Sequence, residues 1–161
     1  NESRLCRNFI EEILKLGHSI VFTPELIDEW DKYGLRRKIF VPKTQPWYIL
    51  MRRKGLVRIY HSDVQREELR QAIFNVVESN AIEVVRKDMR LIEAALLVDK
   101  SISSTDDKVR NHFRRAAQTV SELQLIIWAN PVNLEENCVV WLREGAPPDE
   151  HRLLGYSEDT D

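Results

Sequence analysis

Cysteine is nearly absent from this chain: Cys6 and Cys138 are the two thiols in 161 residues. Two cysteines cannot build the disulfide framework of a small secreted domain. Both fall inside apolar helical patterns and read as reduced core residues. No apolar run approaches the ~20 residues that a membrane-spanning helix needs, and no secretory-signal pattern is present. The expected setting is therefore a reducing cytoplasm with no membrane partner. The four histidines (His18, His61, His112, His151) are scattered without zinc-ligand spacing. Motifs for a Ser or Cys nucleophile, a Gly-rich phosphate loop and a Rossmann fingerprint are all missing.

Acids are absent from one long stretch. Residues 34–60 carry eight Lys or Arg (Arg36, Arg37, Lys38, Lys43, Arg52, Arg53, Lys54, Arg58) and no Asp or Glu. The whole chain has a net charge of −2, so it has no global pull towards nucleic acid, and any such binding must come from this local patch. Arg52, Arg53 and Lys54 lie close to Trp47 and Tyr48, a combination that could hold a phosphate backbone and stack a base. A solvated helix face or a site for an acidic partner protein fits the same residues.

What is present suits one domain with a sizeable core: 43% hydrophobic and 31% charged residues. Helical spacing puts Leu5, Phe9, Ile10, Ile13 and Leu14 on one face of residues 2–16, with Gly17 as the stop. Residues 19–22 read as a short buried strand. Thr23–Pro24 starts the next helix, on which Leu26, Trp30 and Tyr33 form the buried stripe and Glu29 lies nearest to it. The basic stretch reads as loop, short helix and a strand after Gly55. Ser62–Asp63 caps a helix over 64–78, with Leu69, Ile73, Val76 and Val77 facing the core. Leu123–Trp128 is the most hydrophobic strand candidate. Asn133 and Glu136 match the capping-box spacing ahead of a helix that stops at Gly145. The expected organisation is a single domain over 1–146, with 34–60 as an insert, and a polar tail over 147–161 running as surface coil. Short apolar strands alternating with helices predict an α/β fold, a small parallel sheet flanked by helices on both faces.

The stretch from Val84 to Phe113 concentrates the chemistry. It reads as a polar lead-in, an apolar helix beginning at Asp88, a strand over 101–105, and a second helix opening on Asp106 and Asp107. In a parallel sheet, ligands collect beyond the carboxyl ends of the strands. Glu29 and Asp106 each follow a strand directly. Asp88 reaches the same end if its helix packs antiparallel to the strand after it. Clustered carboxylates raise each other's pKa unless a cation sits among them. Mg²⁺ or Mn²⁺ takes such oxygen ligands and activates water against a phosphodiester. Taken singly, Asp88 and Asp106 read as helix caps and Glu29 as a solvated edge residue. Glu25, Asp28, Asp31, Glu93 and Asp99 read as surface or structural acids, and Trp30, Trp128 and Trp141 as core.

The order Asp88-Met-Arg-Leu-Ile-Glu-Ala-Ala95, a short gap, then Ser104-Thr105-Asp106 resembles the second half of the PIN-domain nucleases. Phe22-Thr-Pro-Glu-Leu-Ile-Asp-Glu29-Trp30 is similar to the helix that carries the family's earlier acid. The resemblance covers roughly residues 1–130. It implies a three-layer α/β/α fold and a Mg²⁺- or Mn²⁺-dependent endoribonuclease. Glu29, Asp88 and Asp106 would be the metal-binding and catalytic acids, with Asp107 and Ser104 as auxiliaries. RNA is the implied substrate. Many family members are toxins neutralised by an antitoxin, so a protein partner or a homodimer is implied as well. The family opens on a strand bearing its first catalytic Asp, and this chain opens at the helix after it. The expectation is that the strand lies upstream of Asn1. If the protein lacks it, the chain becomes a degenerate PIN-like module that binds RNA or a protein through 34–60.

Overall fold

The computed structural model describes residues 2–29, 46–61 and 66–157. They form a mixed α/β structure whose strands pair in parallel, as two two-stranded sheets. The chain divides into two compact units, Asn1–Asp63 with Val139–Gly145, and Val64–Cys138 with Ala146–Asp161.

In the first unit, α1 (Glu2–Leu16) buries Phe9 and Ile13. It ends where the sequence requires: Gly17 takes φ +77°, and the His18 amide donates back to the Ile13 carbonyl at 3.1 Å. A left-handed residue there closes the helix in a Schellman turn, which glycine makes without steric cost. β1 (Ile20–Phe22) follows. Residues 24–29, here α2, start on Thr23, whose Oγ1 accepts from the Leu26 amide at 3.4 Å. Leu26 is buried as expected. Trp30, Asp31, Tyr33, Arg36, Arg37, Lys38 and Lys43 lie outside the described residues.

The basic stretch then contributes fold. α3 (Pro46–Arg53) buries Tyr48 and Met51 and closes on Gly55 at φ +70°. β2 (Val57–Ile59) pairs in parallel with β1, Ile20 opposite Val57 and Phe22 opposite Ile59. Tyr48 packs edge-on against Phe22, ring centroids 6.1 Å apart.

The second unit holds the larger core. α4 (Glu67–Phe74) is shorter than the helix expected over 64–78. Its last turn tightens, the amides of both Val76 and Val77 donating to the Ile73 carbonyl. Val77 thereby stays buried with Leu69 and Ile73, but Val76 turns outward. The Ser62–Asp63 cap lies outside the described residues. α5 (Ile82–Leu97) begins well ahead of Asp88, because Val85, Met89, Ile92 and Ala95 continue one apolar stripe back through the supposed lead-in. Asp88 is therefore a mid-helix residue and not a cap. Glu93, on the same helix, accepts both Nε and Nη2 of Arg70 at 2.7 Å, a structural ion pair joining α4 to α5.

β3 (Ser101–Ser103) and β4 (Ile127–Ala129) form the second parallel pair, Ile102 opposite Trp128. α6 (Asp107–Ala117) connects them, together with a 3₁₀ turn at Ser121–Leu123. The strand expected over Leu123–Trp128 is shifted: Leu123 sits in the 3₁₀ turn, and pairing occurs only opposite the short β3. Leu123, Ile126 and Trp128 are nonetheless fully buried with Val85, Met89, Ile92 and Phe113.

The C-terminal segment, expected as surface coil, is docked. Leu153 bridges Ile127 in antiparallel sense, the Leu154 amide donates to the Ile126 carbonyl at 2.9 Å, and Leu154 is fully buried. Gly155 permits the approach: a Cβ there would lie 2.9 Å from the Gln124 Cα. Two leucines in an otherwise polar stretch are enough to seat it.

α7 (Cys138–Arg143) returns to the first unit with Trp141 and Leu142 buried. Arg143 donates to both carboxylate oxygens of Glu12, at 2.8 and 3.2 Å, and Lys15 stands 3.5 Å away. The guanidinium hydrogen bonds hold the Glu12 carboxyl below its ordinary range. A carboxylate with a depressed folded pKa adds stability that is fully present above its unfolded pKa and disappears as pH falls through the folded value. Urea titrations at stepped pH should therefore show the wild-type chain losing more stability on acidification than Glu12→Gln loses. Identical pH slopes would refute the coupling.

Candidate functional site

The turn beyond the carboxyl end of β3 carries two of the acids picked out in the sequence, Asp106 and Asp107. The Asp106 side chain caps α6, its Oδ1 accepting from the Val109 amide at 3.0 Å. Its own amide donates to Ser104 Oγ at 3.2 Å, so the Ser-Thr-Asp step is a closed polar turn that fixes where the helix starts. Asp107 opens the first turn, where a negative charge meets the positive end of the helix dipole. Both aspartates are exposed, and Ser104 is half-buried.

Asn130, the residue immediately after β4, ties the two strand ends together. Its Nδ2 donates to Asp107 Oδ2 at 2.8 Å, and its Oδ1 accepts from the Val132 amide at 3.0 Å. Arg110 Nη1 stands 3.7 Å from the other Asp107 oxygen. The carboxylate of Asp107 is thus held from two sides, which leaves it less free than its exposure suggests.

Asp88 lies on the neighbouring helix, α5. α5 packs against β3, and the chain reverses between them through Lys100 at φ +60°. Asp88 lies nine residues before the end of α5, about 13–14 Å of helix. Asp106 lies three residues beyond Ser103, the last residue of β3. Asp88 itself lies in the middle of α5, on a helix that packs against β3. It is half-buried there. Glu29 is exposed on α2 in the first unit, following β1 as its sequence position indicated.

Among the described residues, no three Asp, Glu, His or Cys side chains gather closely enough to hold a metal ion. Asp88, Asp106 and Ser104 are nevertheless hard oxygen donors. Mg²⁺ and Mn²⁺ commonly keep several waters and need only one or two carboxylates. The donor set fits such an ion in kind.

The residues expected to contact RNA are placed differently from one another. Arg52 and Arg53 end α3, Lys54 follows, and all three are exposed. The Trp47 ring is half-buried and packed edge-on against Tyr48 at 5.8 Å, while Tyr48 lies in the core. Tyr48 is therefore no stacking platform for a base.

No motif marks the polar network behind Asn130. The Glu136 carboxylate takes Arg110 Nη1 at 2.5 Å on one oxygen and Arg152 Nη1 at 2.6 Å on the other. The second oxygen also accepts the Asn130 amide at 3.0 Å, and Arg152 Nη2 donates to the Glu136 carbonyl. Both arginines are buried. Asn133 does cap a turn, accepting from the Glu135 amide at 3.1 Å, but that turn is the 3₁₀ segment Leu134–Glu136, and Glu136 reaches away from its cap to the arginines. The overlooked signal was Arg110 inside the apolar stripe Val109, Phe113, Ala116–Ala117: a cation there needs a buried anion. Cys138 lies beside this network, its Sγ 3.3 Å from the Asn130 carbonyl. Burial raises the pKa of its thiol, and nearby Arg152 offsets this only in part, so it stays protonated and poorly nucleophilic at neutral pH.

Comparison with protein-family models, curated proteins and solved structures gave no match.

Removing the Glu136 carboxylate would take the shortest ion-pair partner from two buried guanidiniums, leaving Arg110 only Asp107 at 3.7 Å and Arg152 only Asp149 at 3.4 Å. Glu136→Ala should lose about 3–5 kcal/mol of unfolding free energy in urea denaturation. A loss below about 1 kcal/mol, the worth of a surface pair, would show that the network is solvated.

Proposed function

We propose that this chain is a PIN-like, divalent-metal-dependent endoribonuclease domain. The observation that supports the reading best is the placement of Asp106 in the turn that follows the carboxyl end of a parallel strand, where its side chain caps the next helix, with Asp88 on the helix packed against that strand. Asp88 and Asp106 supply the carboxylates for Mg²⁺ or Mn²⁺. Glu29 is the family-type acid of the first unit. Ser104 and Asp107 are auxiliaries: Ser104 sets the turn that presents Asp106, and Asp107 adds negative charge beside it. The ion, when bound, lowers the pKa of a coordinated water and stabilises charge on the scissile phosphate. The three-layer PIN arrangement and an antitoxin-like partner belong to the same proposal.

The test separates charge from fold. Asparagine caps a helix as well as aspartate does, so Asp106→Asn keeps the acceptor for the Val109 amide while removing a metal ligand. Asp88→Asn and Asp106→Asn should each reduce Mn²⁺-dependent cleavage of single-stranded RNA roughly a hundredfold or more, with unchanged circular dichroism. Cleavage retained in both variants would sink the proposal.

The lack of a three-ligand group among the described residues favours a second reading, a degenerate PIN-like module that binds without cutting. It expects no cleavage by the wild-type chain with either ion, and partner binding that salt weakens and a chelator leaves alone. Cleavage that EDTA abolishes would eliminate it.

A further inference from the structure

The outward face of α3 combines features that a merely solvated helix does not need. Its inward face is committed to the core of the first unit through Tyr48 and Met51. At 100° per residue, Ile49, Leu50 and Arg53 share the opposite side. Ile49 is 38% and Leu50 42% exposed, so two aliphatic side chains flank a guanidinium in water. Arg52 and Lys54 extend the positive charge, and among the described residues no acid pairs with any of the three cations.

Charge at the end of α3 has a local cause, since cations suit the negative end of a helix dipole. That accounts for Arg52 and Arg53, but not for the aliphatic pair beside them. Nor does it explain why the sequence places no acid anywhere in 34–60.

We propose that this face of α3 is a docking surface for an acidic, amphipathic segment of a partner protein. Aliphatic side chains at helical spacing on the partner would cover Ile49 and Leu50, and carboxylates beside them would meet Arg52, Arg53 and Lys54. Single-stranded RNA suits the face less well. Such binding relies on aromatic platforms, and here Tyr48 is buried while Trp47 is packed edge-on against it. An RNA backbone would also leave the two aliphatic side chains uncovered. A second copy of the same face is disfavoured because it would bring like charges together. The inference is independent of whether the acids of the second unit catalyse anything, and its test does not read cleavage.

Fluorescence anisotropy on the full chain would use three labelled probes: a helical-repeat peptide of Leu and Glu, the same composition scrambled, and an oligo(U) RNA. The amphipathic peptide should bind at least about tenfold more tightly than the scrambled one, with affinity falling as salt rises. Ile49→Ser combined with Leu50→Ser should weaken it about tenfold or more without moving the thermal midpoint, since both side chains already face water. Arg53→Glu, a second and independent variant, should do the same. Oligo(U) bound more tightly than the peptide would overturn the proposal in favour of RNA. Equal affinity for the amphipathic and scrambled peptides, or peptide affinity unchanged in both variants, would overturn it outright.

Discussion

One carboxylate organises the polar interior of the second unit. Glu136 follows β4 and is gripped by Arg110 from α6 and Arg152 from the C-terminal segment. Three parts of the chain that are far apart in sequence meet on two oxygen atoms. None of these charges could be buried alone, because an isolated ion in a protein interior costs several kcal/mol. Together they are tolerable, and the backbone amide of Asn130 supplies a further donor to the carboxylate. The same Asn130 then reaches forward to Asp107. The start of α6, where the candidate acids stand, is thus braced from behind by a network that takes no part in their chemistry.

Much of this fold was legible in the sequence because it rests on local rules. Gly17 and Gly55 end helices because each must adopt a left-handed backbone, and Thr23 begins one because its hydroxyl can take an amide. Short strands alternating with helices correctly indicated parallel pairing. The errors share a cause: sequence periodicity does not show where tertiary contacts begin or end. α5 extends two turns ahead of Asp88 because Val85 finds core to pack against. β4 is clipped because β3 is short. The C-terminal segment is ordered by two leucines that a polar average hides.

The candidate site was legible only in part. Asp106 follows from its position after a strand and before a helix, and its role as a cap was equally readable. That Asp88 stands in the middle of its helix and not at its start was not legible, because it depends on core contacts made by Val85. Arg110, Asn130, Glu136 and Arg152 have no motif. Their association is a property of the folded backbone. An arginine inside an apolar stripe hinted at a buried anion without identifying it.

The division of the chain also bears on how it is made. The first unit is closed by Val139–Gly145, including the Arg143 that pairs with Glu12, and the second by the segment carrying Arg152. Neither unit can finish folding as soon as its own first residues leave the ribosome, although domains commonly fold in order of synthesis. Both wait for nearly the same stretch of message. Until Arg143 and Arg152 are translated, Glu12 and Glu136 each lack one of their guanidinium partners. The ion pairs that close the two units can therefore form only after both segments are made, and almost together.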